Sequence, residues 1–320
     1  MALYAFDGTW RDAEEDPVLQ WTNVRHFRDL YARDDDATTY YWDGVGRRLG
    51  LAGKVVGGGL GVGVDVRVNE ARALLYEAFL NGDQVIDIIG FSRGAATATA
   101  FAWSIFRWGV RAPRNILPGT DGLKNVASGS FTHDSLADKP PIRFMGLFDT
   151  VFTTGQLSPF IPFMEYQKAQ KGNQSFTSLL FKGDFSLPEN VETAFHALSI
   201  HERDFGFDVT RIGNAYEVWF PGDHGDVGGG DKERHITNTT LQWMIAKAES
   251  AGIRFKEYEL TEGVGGISDA VRRDGKKLAR RIRPGDRIFE NAADLPQLAD
   301  IEGLAVERTD GLSETSQSRK

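Results

Sequence analysis

Four short segments of almost uninterrupted apolar residues constrain most strongly what this chain can fold into. They are residues Ala2–Phe6, Gln84–Gly90, Ile142–Phe148 and Tyr216–Phe220. Continuous apolar character, without alternation of apolar and polar residues, is typical of strands that are covered on both faces of a parallel sheet. We therefore expect these segments to lie inside a central sheet.

Helical patterns between the segments indicate how such a sheet would be covered. Residues Val68–Leu80 place apolar side chains at helical spacing, and Ala95–Trp108 is rich in alanine with aromatic residues in between. A third pattern, Thr237–Ala251, is followed by Gly252, a residue typical of the position just after a helix. Strands that alternate with helices predict an α/β fold, with a mostly parallel central sheet flanked by helices.

Length and composition fit a single α/β domain over residues 1–320. Apolar residues make up 41% of the chain, and cysteine is absent, which excludes disulfides, thiolate metal sites and a cysteine nucleophile. The net charge of −8 argues against nucleic-acid binding by the surface as a whole. No signal peptide is visible at the start, so we expect the protein in the cytoplasm at synthesis. Export by a signal-independent secretion system is the alternative.

Two stretches depart from the α/β rhythm. We interpret residues 152–190, which contain many aromatic residues, as an insertion or lid over a site, with an ordinary surface excursion as the alternative. From about residue 253 we expect a basic C-terminal extension. Within it, Arg272–Arg287 contains eight Lys or Arg residues and two acidic ones. This segment would form either a peripheral contact with anionic membrane or a solvated surface.

The pentapeptide Gly90-Phe91-Ser92-Arg93-Gly94 is the clearest candidate for chemistry. It lies between a predicted strand and a predicted helix, the context in which a G-x-S-x-G sequence presents a nucleophilic serine on a sharp turn. Glycine at its first and last positions would avoid clashes between the strand and the helix behind it. The start of the helix would direct backbone N–H groups at a developing oxyanion. We predict Ser92 as a nucleophile.

A serine nucleophile needs a base, and His224 is the best placed of the six histidines. It lies in a glycine-flanked loop, FPGDHGD, just after the predicted strand Tyr216–Phe220. His196 and His201 lie in a stretch of mixed apolar and charged residues, where we expect a structural role. We therefore predict His224 as the base.

Asp149 is the predicted acid that orients the base. It follows the predicted strand Ile142–Phe148, so it would share the carboxyl edge of the sheet with Ser92. The chain order serine, aspartate, histidine is that of the α/β-hydrolases. Asp226 is the rival acid, but it lies only two residues beyond His224, which favours local bracing of the loop.

An oxyanion hole needs two hydrogen-bond donors. The backbone N–H of Arg93, directly after the nucleophile, is the predicted first donor. We expect the second from the turn after the first strand, at Gly8 or Thr9. A plain strand-ending turn braced by Asp7 is the alternative for this segment.

Two glycine-rich segments suggest further sites that their spacing does not support. The group Asp223, Asp226 and Asp231 offers oxygen ligands for calcium, but its spacing matches no EF-hand loop, so no metal is predicted. The run Gly57–Gly63 lacks the spacing of nucleotide-binding loops. We interpret this run as a mobile loop near the site, and we predict no cofactor.

Four sequence blocks in a fixed order resemble those of a known family. They are FDGTW with a following TNV, GFSRGAATA, MGLFDTV and VWFPGDHGDVGGG. Together they resemble the α/β-hydrolase-like catalytic domain of uncharacterised function found in bacterial type VI secretion phospholipase effectors. The block AFHALSIHER resembles the family's H-A-L-x-I-D-E-R segment, with His201 where an aspartate is usual. The resemblance implies an α/β-hydrolase-like fold, with Ser92, Asp149 and His224 as nucleophile, acid and base.

The residues and the resemblance together predict a serine hydrolase that cleaves carboxylic esters through an acyl-enzyme, of the lipase or phospholipase type. A short-chain or polyester-type esterase is the alternative within the enzyme class. A non-catalytic module for binding or effector delivery, built on a hydrolase scaffold, is the alternative from another class. The expected partner is an ester or phospholipid substrate, and no nucleic acid is expected.

Overall fold

A computed structural model describes residues 1–8, 21–31, 37–44, 59–113, 131–152, 185–203, 209–230, 235–258 and 280–308. Ten strands lie in these ranges: β1 (Ala2–Phe6), β2 (Thr38–Trp42), β3 (Ile86–Phe91), β4 (Val110–Pro113), β5 (Phe131–Ala137), β6 (Ile142–Phe148), β7 (Ala194–Ser199), β8 (Tyr216–Phe220), β9 (Arg287–Phe289) and β10 (Ala305–Glu307). The helices are α1 (Asn23–Leu30), α2 (Gly59–Leu80), α3 (Arg93–Trp108), α4 (His224–Gly228) and α5 (His235–Ser250). Two 3₁₀ turns, Glu290–Ala292 and Pro296–Leu298, complete the described elements.

Eight of the described strands form one sheet in the order β2-β1-β3-β6-β7-β8-β9-β10. Every neighbouring pair in this sheet is parallel. Strands β4 and β5 form a separate antiparallel pair. The predicted mostly parallel sheet, flanked by helices, is therefore confirmed.

The direction in which strands are added to the sheet reverses at β1. The chain places β2 on one side of β1 and then β3 on the other, so the carboxyl ends of β1 and β3 flank a topological switch point. In open parallel sheets, ligands bind in the crevice beside such a point. Ser92 directly follows β3, and Asp7 directly follows β1, so both residues border this crevice.

Apolar layers cover both faces of the sheet. On one face, side chains of α2 and α3 pack on β1 and β3, including Val68, Leu75 and Phe101. On the other face, α1 and α5 supply Phe27 and Trp243, among others. Burial on both faces explains why the central strands are continuously apolar in sequence.

Helix α2 corrects the interpretation of the glycine run. The described part of that run, from Gly59 to Gly63, belongs to the helix rather than to a loop. Glycine lowers helix propensity by about 1 kcal/mol per residue. A glycine run also gives no apolar pattern at helical spacing, so the sequence does not reveal where this helix begins. Packing of Val68 and Leu75 farther along the same helix outweighs that cost. Of the helices in the described ranges, none combines the length and apolarity needed to cross a bilayer.

The C-terminal part also adds structure where the sequence predicts only a basic extension. Strand β9 pairs with β8, and β10 pairs with β9, so residues 280–308 extend the sheet. Trp219, Ile288 and Leu298 share a small apolar cluster at this end. Of the predicted lid, residues 153–184 lie outside the described residues, as do the basic residues 272–279.

Candidate active site

Ser92 lies at a strained turn between β3 and α3. Its backbone adopts φ +58° and ψ −125°, a left-handed conformation that is rare for a residue with a side chain. The Ser92 N–H donates to the Phe148 carbonyl of β6 at 2.9 Å, and the Val151 N–H donates to the Ser92 carbonyl at 3.2 Å. These bonds hold the turn in place from the neighbouring strand, and they offset the strain.

The two glycines of the pentapeptide are required by close approach of the backbone. A Cβ atom on Gly90 would lie 2.7 Å from the Cα atom of Ala95, at the start of the helix packed behind β3. A Cβ atom on Gly94 would lie 2.2 Å from the carbonyl oxygen of Phe6, at the end of β1. The turn is therefore compressed against both the helix and the adjacent strand.

His224 is the first residue of α4, a short helix that follows β8. Asp223 is its N-cap, and the carboxylates of Asp223 and Asp226 form a reciprocal capping box. The His224 backbone N–H donates to Glu202 at 3.1 Å. Its imidazole packs on Phe91, with ring centres 4.7 Å apart. The backbone and the ring of His224 are thus both fixed.

The structure brings Ser92, His224 and Asp149 into one hydrogen-bonded line. His224 Nε2 lies 2.8 Å from Ser92 Oγ, and His224 Nδ1 lies 2.6 Å from Asp149 Oδ2. All three residues are buried, with at most 8% of their surface exposed. Because an ionised carboxylate can only accept, Nδ1 carries the ring proton, and Nε2 is left to accept the proton of the serine hydroxyl.

Asp149 is fully buried, and every neighbour of its carboxylate is a donor. Oδ1 accepts the Ser199 N–H at 2.9 Å and Arg280 Nη1 at 2.5 Å. Oδ2 accepts the Ser199 hydroxyl at 3.1 Å in addition to His224. Burial alone would raise the pKa of Asp149, but the charge of Arg280 and the contact with His224 outweigh it and hold that pKa well below its ordinary value.

Arg280 and Ser199 are the site residues that sequence reasoning missed. Arg280 was counted with the basic segment expected to face lipid or solvent, yet its side chain is only 5% exposed and contacts Asp149 from 131 residues away. Ser199 ends β7, a strand not among the four predicted ones. The position of Ser199 at the carboxyl end of β7, the strand that pairs with β6, is the feature that could have indicated its contact with Asp149. The sequence carries no comparable signal for Arg280.

The turn after β1 differs from the predicted oxyanion loop. The Gly8 N–H donates to Asp7 Oδ1 at 2.6 Å, so this donor is already occupied. Asp7 Oδ2 accepts the hydroxyls of Thr22 and Tyr41 at 2.5 and 2.6 Å. The bracing of this turn by Asp7, the alternative left open above, is thus present at Gly8. Thr9 lies outside the described residues.

Arg93 begins α3 directly after Ser92. The Ser92 side chain does not cap this helix, so it leaves the first N–H groups to other acceptors. Burial without a countercharge lowers the pKa of the Arg93 guanidinium to about 10. Among the described residues, this guanidinium has no ion-pair partner.

A second buried chain of hydrogen bonds runs beside the Ser92–His224–Asp149 line. His196 Nε2 accepts the Thr150 N–H at 3.1 Å, and its Nδ1 lies 3.0 Å from Glu217. Glu217 in turn pairs with Arg211. Because Thr150 follows Asp149 directly, this chain of hydrogen bonds fixes the backbone beside Asp149.

The aspartates of the loop around His224 are engaged within the protein. Asp223 and Asp226 bond each other's backbone N–H groups at 3.0 and 2.9 Å, and Asp231 lies outside the described residues. No cluster of three or more potential metal ligands occurs among the residues that the structure describes. The geometry of Asp226 also assigns it to the loop rather than to the imidazole of His224.

Comparison with known proteins relates the chain to one family. The family model described as "T6SS, Phospholipase effector Tle1-like, catalytic domain" matches residues 3–117 and 118–247. An uncharacterized protein of Saccharomyces cerevisiae is 28% identical over 146 residues, which are 40% of this chain and 21% of that protein.

A solved structure is also similar. It is the Tle1 effector bound to the VgrG spike from the Type 6 secretion system, with a TM-score of 0.45 and 21% identity. The match covers 72% of this chain and 50% of that one. The chain therefore spans half of the effector and about a fifth of the yeast protein that it resembles.

Proposed function

Because the chain belongs to the family of type VI secretion phospholipase effectors with a Tle1-like catalytic domain, we propose that it is a serine hydrolase that cleaves a carboxylic ester of a phospholipid. The observation that carries the proposal is the line of contacts from Ser92 Oγ to His224 at 2.8 Å and on to Asp149 at 2.6 Å. This arrangement supplies a nucleophile, a base and an orienting acid at one edge of the sheet.

The reaction begins with attack by Ser92 Oγ on the ester carbonyl carbon. The hydroxyl proton moves to His224 Nε2 as the new C–O bond forms, and the carbonyl oxygen becomes an oxyanion. Asp149 keeps the imidazole oriented and stabilises the cation formed on it. Collapse of the tetrahedral intermediate releases the alcohol, which takes the proton from His224, and leaves the acyl group on Ser92.

Water then completes the cycle by the same steps. His224 removes a proton from a water molecule as it attacks the acyl carbon, and the second tetrahedral intermediate expels Ser92, which recovers its proton. In both steps we assign the Arg93 N–H as one oxyanion donor, at the start of α3. For the second donor we retain Thr9, because the Gly8 N–H is engaged with Asp7.

A phospholipid fits the charge next to the nucleophile. Arg93 follows Ser92 directly, and its guanidinium is partly buried with no ion-pair partner among the described residues. A phosphodiester on the substrate would supply the missing countercharge, since guanidinium groups bind phosphate in a bidentate manner. A neutral short ester would not.

Membrane contact through the basic C-terminal segment is a further part of the proposal. Since Arg280 is buried against Asp149, this role falls to the exposed side chains of Arg281, Arg283 and Arg287 among the described residues. Binding to vesicles of phosphatidylglycerol should weaken when these three are changed to glutamine. Delivery by a type VI secretion system is proposed on the family membership alone.

The proposal is tested with a fluorophosphonate probe and two classes of substrate. The probe should label the wild type and not Ser92→Ala, and Ser92→Ala should lose turnover of p-nitrophenyl butyrate. Hydrolysis of phosphatidylglycerol liposomes should exceed that of neutral triglyceride emulsions. Turnover of soluble short esters without any action on liposomes would favour a short-chain esterase. A folded wild type that the probe does not label would favour a non-catalytic binding module.

A further inference from the structure

The guanidinium of Arg280 is built into the Asp149 site. Nη1 of Arg280 donates to Asp149 Oδ1 at 2.5 Å, to Ser199 Oγ at 2.7 Å and to the Ser199 carbonyl at 3.1 Å. Ser199 itself bonds both oxygens of the same carboxylate. Arg280 therefore holds the acid both directly and through Ser199.

The two oxygens of the Asp149 carboxylate contact different partners. Oδ1 receives the fixed positive charge of Arg280, and Oδ2 receives the Nδ1–H of His224. The negative charge that would stabilise a cationic imidazole is therefore shared with a permanent cation. Buried charges interact strongly because water does not screen them, so the carboxylate interacts strongly with both partners.

Arg280 also lies outside the part of the chain that the family model covers. That match ends at residue 247, whereas Arg280 enters from the segment that leads into β9. The serine, acid and base all lie within the matched residues. A residue outside the matched part of the chain thus contacts the Asp149 carboxylate directly.

We propose that Arg280 is a positioning residue that fixes Asp149. Through its charge, Arg280 also moves the acid limb of the pH dependence of kcat/KM to lower pH. The inference rests on the proposed function, because it concerns the base of that same site. The expected effect is electrostatic. Without the charge of Arg280, the Asp149 carboxylate should stabilise the imidazolium of His224 more strongly. His224 would then stay protonated to higher pH in the variant, and a protonated imidazole cannot act as a base.

Other charged groups around the site are unchanged when Arg280 is substituted. Glu202 accepts the backbone N–H of His224, and His196 accepts the N–H of Thr150 next to Asp149. Farther groups on the elements packed around the triad are those of Asp7, Arg93, His201, Asp223 and Asp226. Of the described cations, Arg280 is the one that contacts the Asp149 carboxylate.

Two variants separate charge from hydrogen bonding. Arg280→Gln removes the charge and keeps a donor, whereas Arg280→Lys keeps the charge and loses the planar fork. Arg308→Gln, at an exposed position outside Arg272–Arg287, is the matched control. The pH dependence of kcat/KM is measured with p-nitrophenyl butyrate, and the titration of the His224 ring is followed by NMR of histidine-labelled protein, with His224→Gln to assign the signal.

In Arg280→Gln we expect both the acid limb of kcat/KM and the NMR midpoint to move up by about one pH unit. In Arg280→Lys the midpoint should stay near that of the wild type, while kcat falls because the carboxylate is held less firmly. Arg308→Gln should match the wild type in both measurements.

The proposal is overturned if folded Arg280→Gln keeps the wild-type midpoint, or if Arg308→Gln shifts it equally. Should Arg280→Gln fail to fold by circular dichroism, Arg280→Lys decides: a midpoint that moves by a full unit despite the retained charge contradicts the electrostatic account. The NMR titration does not depend on turnover. A wild type without Ser92-dependent hydrolysis would therefore refute the proposed function, while leaving the effect of Arg280 on His224 separately measured.

Discussion

The ring of Phe91 lies so close to the backbone of Gly228 that a Cβ atom there would come within 1.9 Å of the ring. On its other side, a Cβ atom on Gly8 would lie 2.6 Å from the same ring. Phe91 also packs on the imidazole of His224, at 4.7 Å between centres. The ring of Phe91 is therefore packed between Gly8 and Gly228, and it supports the imidazole of His224.

Gly228→Ala should disturb the base without unfolding the protein. The new methyl group must displace Phe91, and with it the imidazole that packs on this ring, so we expect kcat for p-nitrophenyl butyrate to fall by roughly 100-fold. Gly82→Ala is the control, because Gly82 has φ +83° and open space around it. That control should cost about 1 kcal/mol of stability and leave kcat unchanged.

A second change tests whether the ring transmits the effect. Combining Gly228→Ala with Phe91→Leu makes room for the methyl group, so part of the lost kcat should return. If Gly228→Ala retained full activity, the wedge would have no influence on His224.

Asp7→Ala should destabilise the turn after β1 severely. It would leave the donors of Gly8, Thr22 and Tyr41 without their buried acceptor, and a loss of about 3 kcal/mol or more in the free energy of unfolding is expected. Tyr41→Phe removes only one of these bonds and should cost about 1 kcal/mol. Urea denaturation measures both. Equal losses for the two variants would argue against Asp7 as the common acceptor.

Glu217→Gln should flatten the dependence of stability on pH. Burial opposes ionisation of Glu217, but the hydrogen bond from His196 and the charge of Arg211 outweigh it and hold its pKa below the ordinary value. Because the folded-state pKa is the lower one, ionised Glu217 stabilises the fold above the unfolded-state value of about 4.3. That stabilisation is lost as the pH falls further.

The measurement is the free energy of unfolding in urea at pH 7 and at pH 3. The difference between the two should be smaller for Glu217→Gln than for the wild type. Glu192→Gln, at an exposed position, should leave the difference unchanged. An unaltered difference in Glu217→Gln would mean that its carboxylate gains nothing from its neighbours on folding.

Asp223→Ala should reveal the capping role of the loop before His224. Loss of the N-cap should cost about 1 kcal/mol, and kcat should fall because the residue after the cap is His224, the proposed base. Both effects should be the same in EDTA and in millimolar calcium. If the stability or the activity of the wild type depended on calcium, that result would instead support a calcium site in this loop.

Much of the fold could be predicted because its central strands are buried on both faces. The bounds of β1, β6 and β8 match the predicted segments, and β3 differs only at its ends. By contrast, β2 is partly exposed, and β9 and β10 have three residues each. Such strands lack a continuous apolar run, and their pairing depends on neighbours far away in sequence.

The candidate site was predictable to the extent that its residues follow recognisable strands. Ser92, Asp149 and His224 each follow a buried strand, and the parallel arrangement gathers their positions at one edge. An oxyanion donor at Gly8 and bracing of the turn by Asp7 were both compatible with the sequence, because the direction of the Asp7 carboxylate depends on Thr22 and Tyr41. Arg280 could not be predicted, since one arginine in a run of basic residues carries no mark of its distant partner.

The parallel sheet also decides when in folding this chain can become reactive. Ser92, Asp149 and His224 follow three different strands, and Arg280 enters from beyond all of them. Parallel neighbours must be joined by long crossovers, so each pairing closes a large loop and forms slowly. In a chain in which only β1 and β3 have paired, the Ser92 turn lacks its bond to Phe148 of β6, and neither Asp149 nor His224 is in place. Hydrolytic activity is therefore acquired last, and its recovery after dilution from urea should lag behind the recovery of helical structure.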